Sequence, residues 1–110
     1  MNDLDVITVS ELKSLIDNRH RQPVNLIDVR ERNEYTFCHI DGSKLIPLGD
    51  LPGRIGELDA NSEYVVYCHT GQRSAWAVEY LKKCGVKKVR HLQGGIDAWA
   101  DRVDASMARY

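Results

Sequence analysis

The chain has 110 residues, 43% of them hydrophobic and 28% charged, which suits one globular domain with a core and excludes a disordered or fibrous class. Fifteen Lys and Arg against sixteen Asp and Glu give a formal charge of -1, so no global field points to nucleic acid or to an acidic membrane as partner. Residues 1–110 read as a single domain, and Met1-Asn2-Asp3-Leu4-Asp5 lacks the basic and apolar stretches of a signal peptide. No apolar run is long enough to span a bilayer. The three cysteines, Cys38, Cys68 and Cys84, are an odd count without close pairing, so the expected location is the reducing cytoplasm, with free thiols.

Ile7 opens a short strand, and Thr8-Val9-Ser10-Glu11 reads as a capping box, a hydroxyl and a carboxylate three residues apart satisfying each other's backbone amides. The helix that follows carries Leu12, Leu15 and Ile16 and is expected to fade over Asn18 to Arg21. Asn25 to Val29 is the next strand, with Pro23 at its entrance, and Glu31 to Tyr35 predict a helical turn. Lys44 to Pro47 make a brief strand, and Leu48 to Leu58 predict a peripheral helix with Leu51, Ile55 and Leu58 on one side. The unbroken apolar character of Tyr64 to Tyr67 marks a strand covered on both faces, hence central in a mainly parallel sheet. Ser74 to Cys84 form the next helix. Ala77, Leu81 and Cys84, at i, i+4 and i+7, predict a core face that includes Cys84, and Gly85 suits a left-handed helix end. Lys82-Lys83, Lys87-Lys88 and Arg90 read as a solvated, cationic helix end. Val86 to Leu92 supply a last strand, Gly94-Gly95 a tight turn, and Ile96 to Arg102 a closing helix with Ile96 and Trp99 inward. This alternation implies an α/β layered fold.

Chemistry concentrates at Cys68, where the strand stops and a glycine-containing loop turns into a helix. Unpaired N–H groups and the positive end of a helix dipole favour a thiolate there. Gly71 can take positive φ, letting consecutive amides converge on an anion, and Arg73 adds a permanent cation. Such a cradle suits sulfur or phosphate, and spacing separates the two. Cysteine phosphatases of the tyrosine and cell-cycle type carry Cys-x5-Arg, whereas this chain has Cys68-x4-Arg73. One residue fewer shrinks the ring of amides to suit a terminal sulfur, and no general acid follows.

Three further segments, Leu26-Ile27-Asp28-Val29-Arg30-Glu31 with Glu34-Tyr35, His39-Ile40-Asp41-Gly42-Ser43, and Leu92-Gln93-Gly94-Gly95-Ile96-Asp97-Ala98-Trp99, flank that loop. Together with it they resemble the rhodanese family of sulfurtransferases over nearly the whole chain. The resemblance implies a three-layer α/β/α domain around a central, mainly parallel five-stranded sheet. It also implies a thiosulfate sulfurtransferase-like enzyme with no cofactor beyond a covalent persulfide. Cys68 would be the catalytic nucleophile, taking sulfur from a donor such as thiosulfate and passing it to a nucleophilic or protein acceptor. His69, Thr70, Gly71, Gln72, Arg73 and Ser74 would form the substrate loop, Arg73 holding the donor's oxygens, His69 and Gln72 orienting substrate or simply exposed, and Ser74 capping the helix. Asp28, ending a buried strand, needs a partner, for which Arg30 is a candidate; with Glu34 they would brace the neighbouring loops. His39 and His91 carry no signal, Cys38 and Cys84 read as packing residues, and no metal is expected because Cys38-His39 and Cys68-His69 lack ligand spacing. The alternative is a rhodanese-type docking or regulatory module without turnover, against which the retained Cys68 counts.

The tail Val103 to Tyr110 resembles the end of rhodanese domains joined to adenylating enzymes of molybdopterin and thiamine biosynthesis, with Ala105 and Ala108 where proline is common. A sulfur-carrier protein or an adenylating enzyme is the partner this implies. A length of 110 residues leaves no room for an adenylating domain, so a free-standing relative and an excised domain are both open.

Overall fold

Among the described residues, five strands, β1 (Val6–Ile7), β2 (Asn25–Asp28), β3 (Lys44–Leu45), β4 (Glu63–Tyr67) and β5 (Lys88–Leu92), make one sheet in the order β1-β5-β4-β2-β3. Every pairing is parallel. The computed structural model describes residues 5–18 and 24–110. Parallel neighbours need crossover connections, which carry helices α1 (Val9–Asp17), α2 (Arg32–Phe37), α3 (Leu51–Arg54) and α4 (Gln72–Lys83), while α5 (Gly95–Arg102) follows β5.

Side-chain alternation along β4 divides the core in two. Val66 and Cys68 join Ile27, Val29, Ala77, Val78 and Leu81 on the α4 side. Val65 and Tyr67 join Leu12, Leu26, Leu92, Ile96 and Trp99 on the side of α1 and α5. A sheet between these two cores is the expected α/β/α sandwich, and β4, with Val65 to Tyr67 at most 2% exposed, is its central strand.

The Thr8 capping box forms as the sequence predicts: Thr8 Oγ1 accepts from the Glu11 amide at 3.1 Å, and the Glu11 carboxylate accepts from the Thr8 amide at 2.9 Å. α1 ends at Asp17 with Asn18 as its cap; the rest of the expected fading segment and Pro23 lie outside the described residues. α2 starts one residue later than expected, Glu31 standing as its N-cap.

The helix expected over Leu48 to Leu58 breaks into a 3-10 turn (Leu48–Asp50), the single turn of α3 and a second 3-10 turn (Ile55–Glu57). Gly49, Gly53 and Gly56 each lower helix propensity, and Pro52 withholds an amide, which outweighs the apolar spacing. Cys84 also departs from expectation, being exposed. It caps α4, one residue beyond its last turn, where a Schellman motif (Gly85 N to Lys82 O, Val86 N to Leu81 O) turns the chain toward β5.

α5 fixes the end of β4. Its first amides donate to the loop, Ile96 N to Cys68 O at 2.9 Å and Asp97 N to His69 O at 3.1 Å. That close approach requires Gly95, at φ +61°, because a Cβ there would lie 2.6 Å from the Cys68 carbonyl oxygen and closer still to that of His69. Gly95→Ala therefore combines a left-handed penalty with a backbone collision, and is expected to lower stability by ~2–4 kcal/mol. Urea unfolding monitored by tryptophan fluorescence measures it.

Candidate active site

Cys68 follows the last residue of β4, its side chain 1% exposed on the α4 face of the sheet. Gly71, at φ +125°, bends the chain back over the sulfur and serves as N-cap of α4. The amides of Gly71 and Ser74 then point at Cys68 Sγ from 3.1 and 3.3 Å, and the Ser74 hydroxyl lies 3.4 Å away. Convergent N–H groups at a helix start form a binding place for an anion.

The sequence matches the rhodanese-like domain model over residues 8–102. The chain belongs to the rhodanese-like domain family. It is 41% identical over 106 residues to "Probable adenylyltransferase/sulfurtransferase MoeZ" of Mycobacterium tuberculosis, covering 94% of this chain and 26% of that protein. It is 32% identical to "Adenylyltransferase and sulfurtransferase MOCS3" of Culex quinquefasciatus, covering 94% and 26%. The rhodanese-like domain thus spans about a quarter of the length of these two curated relatives. A solved rhodanese-like domain protein of Staphylococcus aureus superposes with TM-score 0.81 at 33% identity, covering 96% of this chain and 98% of that one.

Around the rhodanese cradle runs a second layer of paired charges. Arg73 turns to Glu34 in a two-pronged bridge, Nη1 to Oε1 at 2.7 Å and Nη2 to Oε2 at 3.0 Å. Hydrogen bonds from Arg73, then from the Glu31 amide and the Tyr110 hydroxyl, hold the Glu34 carboxyl down at about 2, against the opposing effect of its partial burial. The same Tyr110 hydroxyl donates to Glu34 at 2.7 Å and accepts from Arg30 Nη1 at 2.9 Å. Arg30 and Asp28 are fully buried, joined by Nη2 to Oδ2 at 2.6 Å and Nε to Oδ1 at 2.9 Å. Asp28 and Arg30 are therefore paired, and Glu34 joins Arg73 to the Tyr110 hydroxyl.

His69 stacks on the Tyr110 ring with centroids 3.9 Å apart, and its Nε2 donates to the Tyr110 carbonyl oxygen at 2.9 Å. Thr70 and Gln72 stand exposed on the rim. Ser74 is not the helix cap: Gly71 takes that position, and Ser74 is the third helical residue, its amide and hydroxyl turned to the sulfur. Cys38 sits half-buried against the second core, with Arg30 donating to its carbonyl oxygen at 2.6 Å.

Two residues escaped sequence reasoning. Tyr110 is one, since nothing in a tail's composition shows what it folds onto. His91 is the other: its Nδ1 lies 3.4 Å from Ser74 Oγ. The signal that finds it is register, because His91 of β5 pairs with Val66, two residues before Cys68 and on the same face of the sheet.

Glu34 is largely enclosed, so its depressed carboxyl links stability to pH. Its contribution is complete above the ordinary glutamate range and fades as pH falls from there toward about 2. Glu34→Gln is expected to cost ~1–3 kcal/mol at neutral pH, and the gap between parent and variant should shrink as pH falls from 5 to 2. Urea unfolding across that range measures both.

Proposed function

We propose that this rhodanese-like domain is a sulfurtransferase that moves sulfane sulfur from a donor such as thiosulfate to a nucleophilic acceptor through a persulfide on Cys68. The observation that carries the reading is Cys68 Sγ held between the amides of Gly71 and Ser74. A thiolate in that cradle attacks the donor's outer sulfur with its own electron pair. A new S–S bond forms, the donor's S–S bond breaks, and sulfite departs with the bonding pair. The acceptor's nucleophile then attacks the outer sulfur of Cys68–S–SH, and Cys68 leaves as thiolate, already stabilised by the same amides.

Arg73 meets the donor's oxygens only while sharing its guanidinium with Glu34, so the loop amides carry the greater part of the anion stabilisation. For the acceptor, the names of the MoeZ and MOCS3 relatives pair a sulfurtransferase with an adenylyltransferase, a pairing that suits an acceptor protein of the sulfur-carrier kind. The large exposed hydrophobic side chains among the described residues support that choice. Phe37 and Tyr110 are in edge contact, Tyr110 stacks on His69 of the loop, and Trp76 lies in the second turn of the helix that the loop opens.

Incubation with thiosulfate followed by intact-mass measurement should show one added sulfur on the parent and none on Cys68→Ser. Thiocyanate formation from thiosulfate and cyanide should fall to background in the same variant. Absence of the added sulfur, or robust Cys68-dependent hydrolysis of aryl phosphates, would overturn the reading.

A further inference from the structure

The amides around Cys68 explain where the negative charge rests, but not where the thiol's proton goes. The hydrogen-bond geometry supplies a place. Ser74 Oγ lies 3.4 Å from Cys68 Sγ and 3.4 Å from His91 Nδ1, with the Gly71 carbonyl oxygen at 3.2 Å as a third neighbour. The hydroxyl has a single proton to give, so each arrangement of the chain leaves a definite direction. In the neutral state the thiol donates to Ser74 Oγ, whose own proton points to Nδ1. In the charged state Ser74 donates back to the thiolate, and a protonated Nδ1 donates to Ser74. Both states satisfy Cys68, Ser74 and His91, and the competing Gly71 carbonyl oxygen already accepts from the Ala75 amide at 3.1 Å; separations of 3.4 Å are of the length that tightens when such a chain is engaged.

We propose that His91 is a positioning residue that holds, through the Ser74 hydroxyl, the proton Cys68 gives up. The step balances without any other reactant: the S–H bond of Cys68 breaks as an O–H bond forms on Ser74, and the original Ser74 O–H bond breaks as an N–H bond forms on His91. A neutral thiol and imidazole become a thiolate and an imidazolium. Sulfur transfer follows while the imidazolium balances the anionic sulfur. This rests on the reading of Cys68 as the sulfur carrier, yet its test does not require sulfur transfer.

The surroundings of His91 suit the task. β5 holds it between Val66 of β4 and Val6 of β1, and the loop closes over it, with His91 Cε1 about 4.0 Å from where a Gly71 Cβ would stand. Burial lowers its pKa from the usual histidine value, while Asp5 acts in the opposite direction and favours the imidazolium. Asp5, ahead of β1, is itself paired with Lys82 of α4, and Cys68, after the end of β4, is reached through Ser74.

The experiment titrates the ultraviolet absorbance of the Cys68 thiolate as the difference between each protein and its Cys68→Ser counterpart. His91→Asn and Ser74→Ala should each lower the thiolate fraction near neutral pH by about tenfold, and the double variant should do no more than either alone, since both break one chain. Reciprocally, in Cys68→Ser the His91 imidazole, followed by NMR, should protonate at lower pH than in the parent. Thermal melts identify a variant that fails to fold, and His91→Gln then replaces His91→Asn. A thiolate titration unchanged by His91→Asn, or a His91 titration indifferent to Cys68→Ser, would overturn the proposal. If both couplings appear while thiosulfate adds no sulfur, the proton relay stands and the sulfurtransferase reading falls.

Discussion

A guanidinium with no exposed surface organises this domain. Taking Arg30 and Asp28 out of water costs several kcal/mol for each ion unless geometry and hydrogen bonding recover it, and both side chains are 0% exposed. The recovery comes from full use of the Arg30 fork. Nε and Nη2 go to Asp28, Nη2 also to the Cys38 carbonyl oxygen, and Nη1 to the Tyr110 hydroxyl and the Glu34 carbonyl oxygen. Burial acts against the charge, but the bonds to Asp28 and Tyr110 outweigh it and raise the pKa. Satisfying one buried cation thereby ties together the end of β2, the segment around α2 and the tail. Tyr110 then passes the constraint to Glu34, and Glu34 to Arg73 at the start of α4.

What the sequence made legible follows from how far each interaction reaches along the chain. The Thr8 box and the helix end at Gly85 are written within a few residues, and both form as read. β4 announced its central position because a strand covered on both faces must be apolar throughout. The Cys68 cradle was legible for the same reason: sulfur, glycine and helix start lie within seven residues. Cys84 misled because periodicity counts positions on a helix and cannot see that the helix ends just before it. The Leu48 to Leu58 segment misled in the opposite sense, its glycines breaking a helix that its apolar spacing favoured. His91 and Tyr110 meet the site from 17 and 41 residues away in sequence, through sheet register and tail docking, and neither leaves a local pattern.

The division of labour around Cys68 has a consequence for the chemistry proposed. A full cation aimed at the sulfur would hold a thiolate strongly but also make it a poorer nucleophile, since nucleophilicity falls as thiol pKa falls. Here the Arg73 cation is committed to Glu34, partial charges on two amides face the sulfur directly, and the proposed His91 imidazolium acts only through the Ser74 hydroxyl. Oriented dipoles of this kind require no reorganisation as charge moves on and off the anion, which suits a group that serves as nucleophile in one half-reaction and leaving group in the other. Depth adds a second consequence. At 1% exposure Cys68 itself offers almost nothing to a macromolecular surface, whereas an added sulfur would lengthen the side chain by ~2 Å, one S–S bond length. On the proposed reading, a protein acceptor then engages the loaded domain at an atom the unloaded domain does not possess.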